Sequence, residues 1–324
     1  MVIFVTITSK YIFGPVPSRR LGRSLGVNNI PYKHCTYACV YCQIGKTPYM
    51  TIEREAYYPW NDIVNEVIRG VKTFGEDNID YITFVPDGEP TLDINIGREI
   101  ISIKENTPVK VAVITNGSLL FREDVRNDLY HADTVSIKVD AITESVFKRI
   151  NRPHLKLKLS EILEGIIEFA RNFRGKLLVE SMFVHELNDN KEEIDNIANF
   201  IVKLRPYKAY IAIPTRPPAE KWVKPSSEKA ILIAYNKFTD LLGDCVELLT
   251  GYEGASFESI SEDPIQGFLS ITSVHPMRLD YAYEFLSKND LDPEKIIKLL
   301  LKEGKIIKIS YMGHDFILHK IKRS

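Results

Sequence analysis

Six times in succession the chain places a short, continuously apolar, β-rich run ahead of an amphipathic stretch of helical length. The strand candidates are residues 24–29, 79–85, 109–115, 134–139, 177–184 and 209–213. The helices that follow them are read at 61–74, 94–104, 122–130, 158–171, 192–204 and 226–242. Runs such as 111–114 and 209–213 show no polar alternation, which suits strands buried on both faces. Serial β-then-α units call for a parallel sheet with right-handed crossovers. A closed barrel needs eight units and about 250 residues. Only six units lie before residue 250, so the expected fold is α/β, an open partial (β/α)6 TIM-like barrel.

The full length of 324 residues leaves room for a second unit, at about 150 residues per domain. The pattern changes near Ser261-Glu262-Asp263-Pro264. Beyond it come helical patterns at 280–287 and 293–303, the second with Asp292 as N-cap and Pro293 at its first position. Residues 305–311 and 315–320 then alternate around Met312-Gly313-His314, as a β-hairpin does. The expected division is an N-terminal extension at 1–23, a barrel at 24–260 and a small α+β, winged-helix-like module at 261–324. The greasy segment 1–13 lacks a basic n-region and a small-residue cleavage site, so it reads as a strand rather than a signal peptide. No apolar run approaches 18 residues, so no membrane span is expected. With 42 Lys+Arg against 43 Asp+Glu, overall charge points to no polyanionic or polycationic partner.

Three of the four cysteines, Cys35, Cys39 and Cys42, fall within eight residues, spaced C-x3-C-x2-C with Tyr41 before the last. So dense a group cannot form a long-range disulfide framework, and a reduced, cytoplasmic setting with a bound metal is the natural reading. Three thiolates on one loop can hold three corners of a [4Fe–4S] cube, whose usual complement is four cysteines. One iron would then stay open to a ligand. The alternative is a structural zinc site with His34 as fourth donor. Against it, His34 adjoins Cys35, and neighbouring side chains rarely close on one tetrahedral ion.

The segment resembles the radical S-adenosylmethionine (SAM) superfamily, whose signature is C-x3-C-x-aromatic-C after the first strand of a partial barrel. The resemblance covers roughly residues 20–250. Asp87-Gly88-Glu89-Pro90, after the second strand, looks like the family's "GGE"-type loop that holds the SAM amino group, with Asp87 in place of a glycine. The resemblance further implies SAM contacts from Thr115 and Asn116 after the third strand, and from Ser136 and Lys138 on one face of the fourth, shared with Asp140. It implies contacts from Glu180 on the fifth strand, beside Met182, and from Tyr41 near the adenine. A barrel-interior ion pair of Lys138 with Asp140 or Glu180 is the plainer reading of that lysine. The cofactors implied are a [4Fe–4S] cluster and SAM. The chemistry implied is reductive cleavage of SAM to methionine and a 5′-deoxyadenosyl radical that takes hydrogen from a substrate. The partner implied is a low-potential electron donor of ferredoxin or flavodoxin type.

The substrate class, whether RNA, protein or a small metabolite, is not written in the motifs. Residues 14–26, rich in Gly, Pro and Arg, together with Pro31-Tyr32-Lys33, look like a group loosely related to the tRNA wyosine synthases. Those enzymes carry extra cysteines before the cluster motif, and none precedes Cys35 here. Arg19, Arg20 and Arg23 are read either as an anion site or as structural arginines. The loop 214–225, with Arg216, Lys221, Trp222 and Lys224, is a candidate lid. Cys245 is expected to be a buried strand residue. The basic C-terminal segment allows nucleic-acid contact, or the solvated face of a packed helix. A non-catalytic iron–sulfur redox sensor or nucleic-acid binder is the alternative function.

Overall fold

The computed structural model describes residues 10–251, 257–258 and 263–320. Most of the expected N-terminal strand, and Ser261-Glu262 of the expected boundary, therefore lie outside the described residues. In chain order the strands of this part are β1 (Ile12–Ser18), β2 (Gly22–Val27), β3 (His34–Cys35), β4 (Tyr49–Met50), β5 (Tyr81–Phe84) and β6 (Lys110–Thr115), with β3 and β4 paired apart from the barrel sheet. They continue as β7 (Thr134–Lys138), β8 (Lys176–Met182), β9 (Lys208–Ala212) and β10 (Val246–Leu249). The main sheet has eight strands in the order β1-β2-β5-β6-β7-β8-β9-β10. From β2 to β10 every neighbouring pair is parallel, while β1 runs antiparallel to β2. The sheet ends at β1 and β10, so the barrel is partial, as the count of units predicts. The six expected strands form, and β10 adds a further parallel one.

The crossovers carry α1 (Trp60–Phe74), α2 (Ile96–Asn106), α3 (Glu123–Leu129), α4 (Glu144–Ile150), α5 (Leu159–Asn172), α6 (Lys191–Leu204) and α7 (Glu228–Leu242). Local sequence sets their ends. Asn190 caps α6 by accepting from the Glu193 N–H, and Ser227 caps α7 by accepting from Ala230. The short helix α4 has too few turns to announce itself by periodicity, yet it buries Phe147 and Ile150. Outward-facing strand residues such as Val111, Val113, Val135, Ile137 and Ile211 pack under Ile100, Ile166, Phe169 and Ile197 of the helices. Each such aliphatic side chain is fully or almost fully buried, a contribution of about 1.5–3 kcal/mol. A smaller inner cluster holds Leu21, Ala112, Leu178, Tyr210, Ala212 and Leu249.

The C-terminal part runs α8 (Pro264–Val274), β11 (Met277–Arg278), α9 (Leu279–Lys288), α10 (Pro293–Lys302), β12 (Ile306–Tyr311) and β13 (His314–His319). Its sheet is ordered β11-β13-β12 and is antiparallel throughout. Asp292 caps α10 with Pro293 behind it, as the sequence predicts, and the hairpin turns at Met312-Gly313. Helix α8 was not anticipated. Phe268, Ile271, Phe285, Leu286, Ile297 and Ile317 form the core of this part, and Phe13 and Val16 of β1 join it. The anticipated basic face is diluted, because Lys305 pairs with Glu303 and Lys308 with Asp315. No helix among the described residues is long and apolar enough to cross a membrane.

Candidate active site

The cysteine loop springs from β3, which pairs in parallel with β4 at the loop's far end. Its backbone is held from behind: Ala38 N–H donates to Asn151 O (3.1 Å), Val40 N–H to Ile150 O (3.0 Å), and Glu220 N–H to Val40 O (3.1 Å). Each thiol then meets one nitrogen donor. Lys33 Nζ lies 3.2 Å from Cys42 Sγ, Asn116 Nδ2 3.7 Å from Cys35 Sγ, and Asn151 Nδ2 3.6 Å from Cys39 Sγ. Burial pushes the Cys35 thiol up to about 12, with Glu89 adding to it and Lys33 opposing. Burial likewise pushes Cys39 up to about 12, with Asp140 adding to it. Both stay protonated at neutral pH until a metal displaces the proton.

This donor set fits a cube better than a single ion. Among the described residues no three His, Cys, Asp or Glu side chains are gathered as ligands of one metal. A cube takes its thiolates at separate corners, and N–H donors to the sulfurs are what tunes such clusters. His34, the fourth donor of the zinc reading, is turned elsewhere. Its ring stacks on Tyr49 at 4.9 Å and its Nδ1 faces Tyr32 O.

The loop after β5 is clamped against the cysteine loop. Lys33 N–H donates to Asp87 O (2.9 Å) and Glu89 N–H to His34 O (3.0 Å). Gly88 sits between these two bonds, where an added Cβ would fall 1.9 Å from His34 O. Glu89 is buried, and its carboxylate accepts from Thr91 N (3.1 Å), Thr91 Oγ1 (2.6 Å), Thr115 Oγ1 (2.6 Å) and Asn116 N (2.8 Å). It thus ties the turns after β5 and β6 together. Asp87 turns away toward Asn28, which donates from Nδ2 to Oδ2 (3.2 Å), and its Oδ1 is buried without a partner. Burial pushes the Asp87 carboxyl up to about 7.

Across the sheet, Lys138 and Glu180 are direct register partners on β7 and β8. Glu180 accepts from both Lys138 and Arg20. Burial alone would raise its carboxyl, but Arg20 and Lys138 outweigh burial and hold it at about 2. The plainer reading of Lys138, an interior ion pair, is therefore present, and Arg20 completes it. Replacing Glu180 by Gln takes from Arg20 and Lys138 the carboxylate they share, and leaves Lys138 only the more distant Asp140. We expect about 3 kcal/mol of destabilisation in urea unfolding, the low end for a broken buried pair because Arg20 and Lys138 keep some solvent access. Lys138→Met added to Glu180→Gln is expected to recover part of the loss, and a neutral single variant would contradict this account.

Tyr41 donates through its hydroxyl to Asp140, which also accepts from Asn151 Nδ2 (2.8 Å) and Met182 N (2.9 Å). Lys138 Nζ lies 5.4 Å from the Tyr41 ring centroid. A cavity of about 300 Å³ brings together Cys35, Cys39, Cys42, Tyr41, Gly88, Glu89, Thr115, Asn116, Lys138 and Glu180. Asp87 and Ser136 do not line it. Ser136 is buried with its Oγ unpartnered.

Several residues that the sequence did not mark as site residues belong here. Lys33 and Asn151 touch the thiols, and no spacing pattern marks either. Val274 and His275 of the C-terminal part also line the cavity. Arg216 donates to Gln43 Oε1 (2.7 Å) and contacts His275 Nε2 (3.1 Å), while Tyr311 donates to Pro214 O (3.0 Å). The three N-terminal arginines diverge. Arg19 and Arg20 both line the cavity, Arg19 also donating to Gly251 O and Arg20 to Glu180, whereas Arg23 binds Asp80 at the surface. In the loop 214–225, residues 214–216 line the cavity, but Trp222 does not and is 50% exposed. The expectation for Cys245 is corrected. It ends a 3-10 turn before β10 and is only partly buried, because Gly243 at φ 64° breaks the run ahead of the strand.

A model of the radical SAM superfamily matches residues 29–201. The UPF0026 protein MJ1312 of Methanocaldococcus jannaschii is 44% identical over 311 residues, covering 96% of each chain. A radical SAM methyltransferase from Sphaerobacter thermophilus superposes with a TM-score of 0.54 at 13% identity, over 70% of this chain and 66% of that one. Streptococcus suis SuiB bound to S-adenosylmethionine gives 0.51 at 14% identity, over 69% and 49%. At those identities the two structures speak for the fold alone. The family match spans more than half of the sequence and includes all three clustered cysteines, so the chain belongs to the radical SAM superfamily, as an enzyme whose cofactors are a [4Fe–4S] cluster and SAM.

Proposed function

We propose that Cys35, Cys39 and Cys42 hold three irons of the cluster and that SAM occupies the cavity beside them, with the fourth iron left to its amino and carboxylate groups. The observation that carries this reading is that three thiols of one loop, each with its own nitrogen donor, share a cavity with the polar ends of four neighbouring strands. When bound, the cofactors supply one-electron cleavage of the SAM carbon–sulfur bond and a 5′-deoxyadenosyl radical that takes hydrogen from substrate. The protein's part is to bind, orient and exclude water. In this reading the Gly88 backbone and Asn116 meet the methionine end of SAM, and Thr115 and Glu89 fix the turn that presents them. Lys138 and Glu180 serve the ribose and carboxylate side, with Ser136 one register pair further in, and Tyr41 flanks the adenine. Asp87 acts from behind by holding the Gly88 turn to Asn28.

The substrate is proposed to enter where Arg216, Gln43 and His275 meet. Residues 261–324 then form the unit that completes that side of the cavity. A reducing, cytoplasmic compartment suits four free cysteines.

The test is anaerobic reconstitution with iron and sulfide, then dithionite and SAM, with mass spectrometry for 5′-deoxyadenosine. Wild type is expected to form it, and Cys39→Ala to lose both the cluster absorbance and the product. A Cys35→Ala, Cys39→Ala, Cys42→Ala triple variant that still loads a cluster would remove the ligand assignment. A cluster that forms but never cleaves SAM, even with cell RNA and extract added, would favour the redox-sensor alternative.

A further inference from the structure

The cysteine loop has two sides. One faces the cavity. The other is covered by two short segments bonded directly to its backbone: 150–154, through Ala38, Val40 and the His154 N–H donated to Thr36 O (2.9 Å), and 220–224, through Glu220 N–H to Val40 O (3.1 Å). A charge on that outer face is separated from the three thiols by little more than the loop itself.

This outer face is basic on a chain whose net charge is −1. Lys46, Arg152, Lys156, Lys221 and Lys224 are all exposed on it. Two carboxylates answer them. Glu220 is shared by Arg152 (2.6 Å) and Lys46 (3.7 Å), and Glu53 lies 3.8 Å from Lys156. Lys221 and Lys224 have no carboxylate partner among the described residues. Leu155, 100% exposed, directly precedes Lys156, and Trp222, 50% exposed, directly follows Lys221. One exposed apolar residue is ordinary. A bare leucine and a half-bare tryptophan, each beside an exposed lysine on segments that Arg152 and Glu220 tie together, have the make-up of an interface, apolar anchors with charged neighbours.

Arg152 supports the same conclusion. It holds φ 46°, a conformation that costs a non-glycine residue free energy and that persists where surrounding contacts fix it. Its carbonyl accepts from Ala38 N–H (3.1 Å) while its guanidinium grips Glu220. One residue therefore joins the cysteine loop, the 150–154 segment and the 220–224 segment.

We propose that this face, Lys46 with Arg152, Leu155, Lys156, Lys221 and Trp222, docks an acidic, low-potential one-electron carrier protein. The inference rests on the cluster reading above. The step is an electron transfer alone: the carrier is oxidised by one electron, the cluster behind the loop is reduced by one, and no bond or proton moves. A basic face steers an acidic carrier to the side of the loop away from the substrate.

The experiment uses the reconstituted full chain and a Lys46→Glu, Lys156→Glu, Lys221→Glu variant, none of whose changes touches the cavity. Reduced flavodoxin of net negative charge is the carrier and dithionite the small-molecule control. Cluster reduction is followed by stopped-flow absorbance, and binding by flavodoxin titration. The variant is expected to keep its dithionite-driven reduction and its 5′-deoxyadenosine yield. Its flavodoxin-driven reduction should fall at least tenfold at low salt. Wild-type reduction by flavodoxin should slow as salt rises, because exposed charges are screened. Leu155→Asp should weaken flavodoxin binding without affecting dithionite. An unchanged flavodoxin rate in the triple variant overturns the proposal. So does an equal loss with both reductants, which would make the face a support for the loop. A wild-type protein that dithionite cannot reduce would instead remove the cluster reading on which the proposal stands.

Discussion

Gly88→Ala will part the two loops that build the site. The added Cβ would fall 1.9 Å from His34 O, 2.8 Å from His34 C and 2.9 Å from Ile30 Cδ1. Two of those atoms are backbone and cannot rotate aside. The bonds on either side of Gly88, from Lys33 N–H and from Glu89 N–H, hold the turn in place, so relief means breaking at least one of them. Overpacking usually costs about 1–3 kcal/mol. A clash against pinned backbone belongs at the upper end, about 3 kcal/mol, with Glu89 then drawn off the turn after β6. The expected result is a lowered urea midpoint together with poor iron retention after reconstitution. Gly251→Ala is the control, because among the described residues nothing lies within 4 Å of its would-be Cβ. If Gly88→Ala melts with that control and loads iron as wild type does, the clamp between the loops is not what holds the site.

The same glycine shows how far the sequence could be read. Its position after an apolar strand, one residue from a carboxylate, marks a functional turn. The reason for it differs from the one the pattern suggests. Gly88 makes room for His34 rather than only for a ligand, and Glu89 spends its two oxygens on four protein donors. The parallel strands were legible because burial on both faces leaves an unbroken apolar run. The cysteine spacing was legible because the ligand atoms sit on one loop. Period-two alternation correctly placed Ser136 and Lys138 on one face, but it carries no information on depth along the strand. Lys138 reaches the cavity and Ser136 stays below it. Contacts at long sequence separation were hidden. Arg20 meets Glu180 across 160 residues, Asn151 meets Cys39 across 112, and Arg216 meets His275 across 59. Phe13 reads as the end of a leading strand and Val16 as part of the Gly-, Pro- and Arg-rich stretch after it, yet both complete a core whose other members come almost entirely from beyond residue 256.

Lys33→Met will lower the reduction potential of the cluster while leaving the metal-free protein at least as stable as wild type. Lys33 is 2% exposed, holds φ 55°, and places its Nζ 3.2 Å from Cys42 Sγ. No carboxylate among the described residues forms an ion pair with it. A buried ammonium in this position is costly unless an opposite charge lies close. The main negative charge available is that of Cys42, Cys35 and Cys39, with Asp87 farther off, and those thiols acquire it fully when iron replaces their protons. In the metal-free protein the lysine is therefore a burden, and a methionine of similar length should relieve it, raising or preserving the urea midpoint. In the loaded protein the balance reverses. Adding one electron makes the cluster more negative, and a fixed cation beside it stabilises that state most. Removing the cation should shift the one-electron equilibrium by tenfold or more, a fall of about 59 mV or more. Lys33→Arg keeps the charge and should stay near the wild-type potential, which separates charge from packing. Potentiometric titration followed by electron paramagnetic resonance reads the first effect, and denaturation of the metal-free protein reads the second. A Lys33→Met potential equal to wild type, or a metal-free variant that unfolds much earlier, would mean that the lysine serves the loop's packing and not the electron.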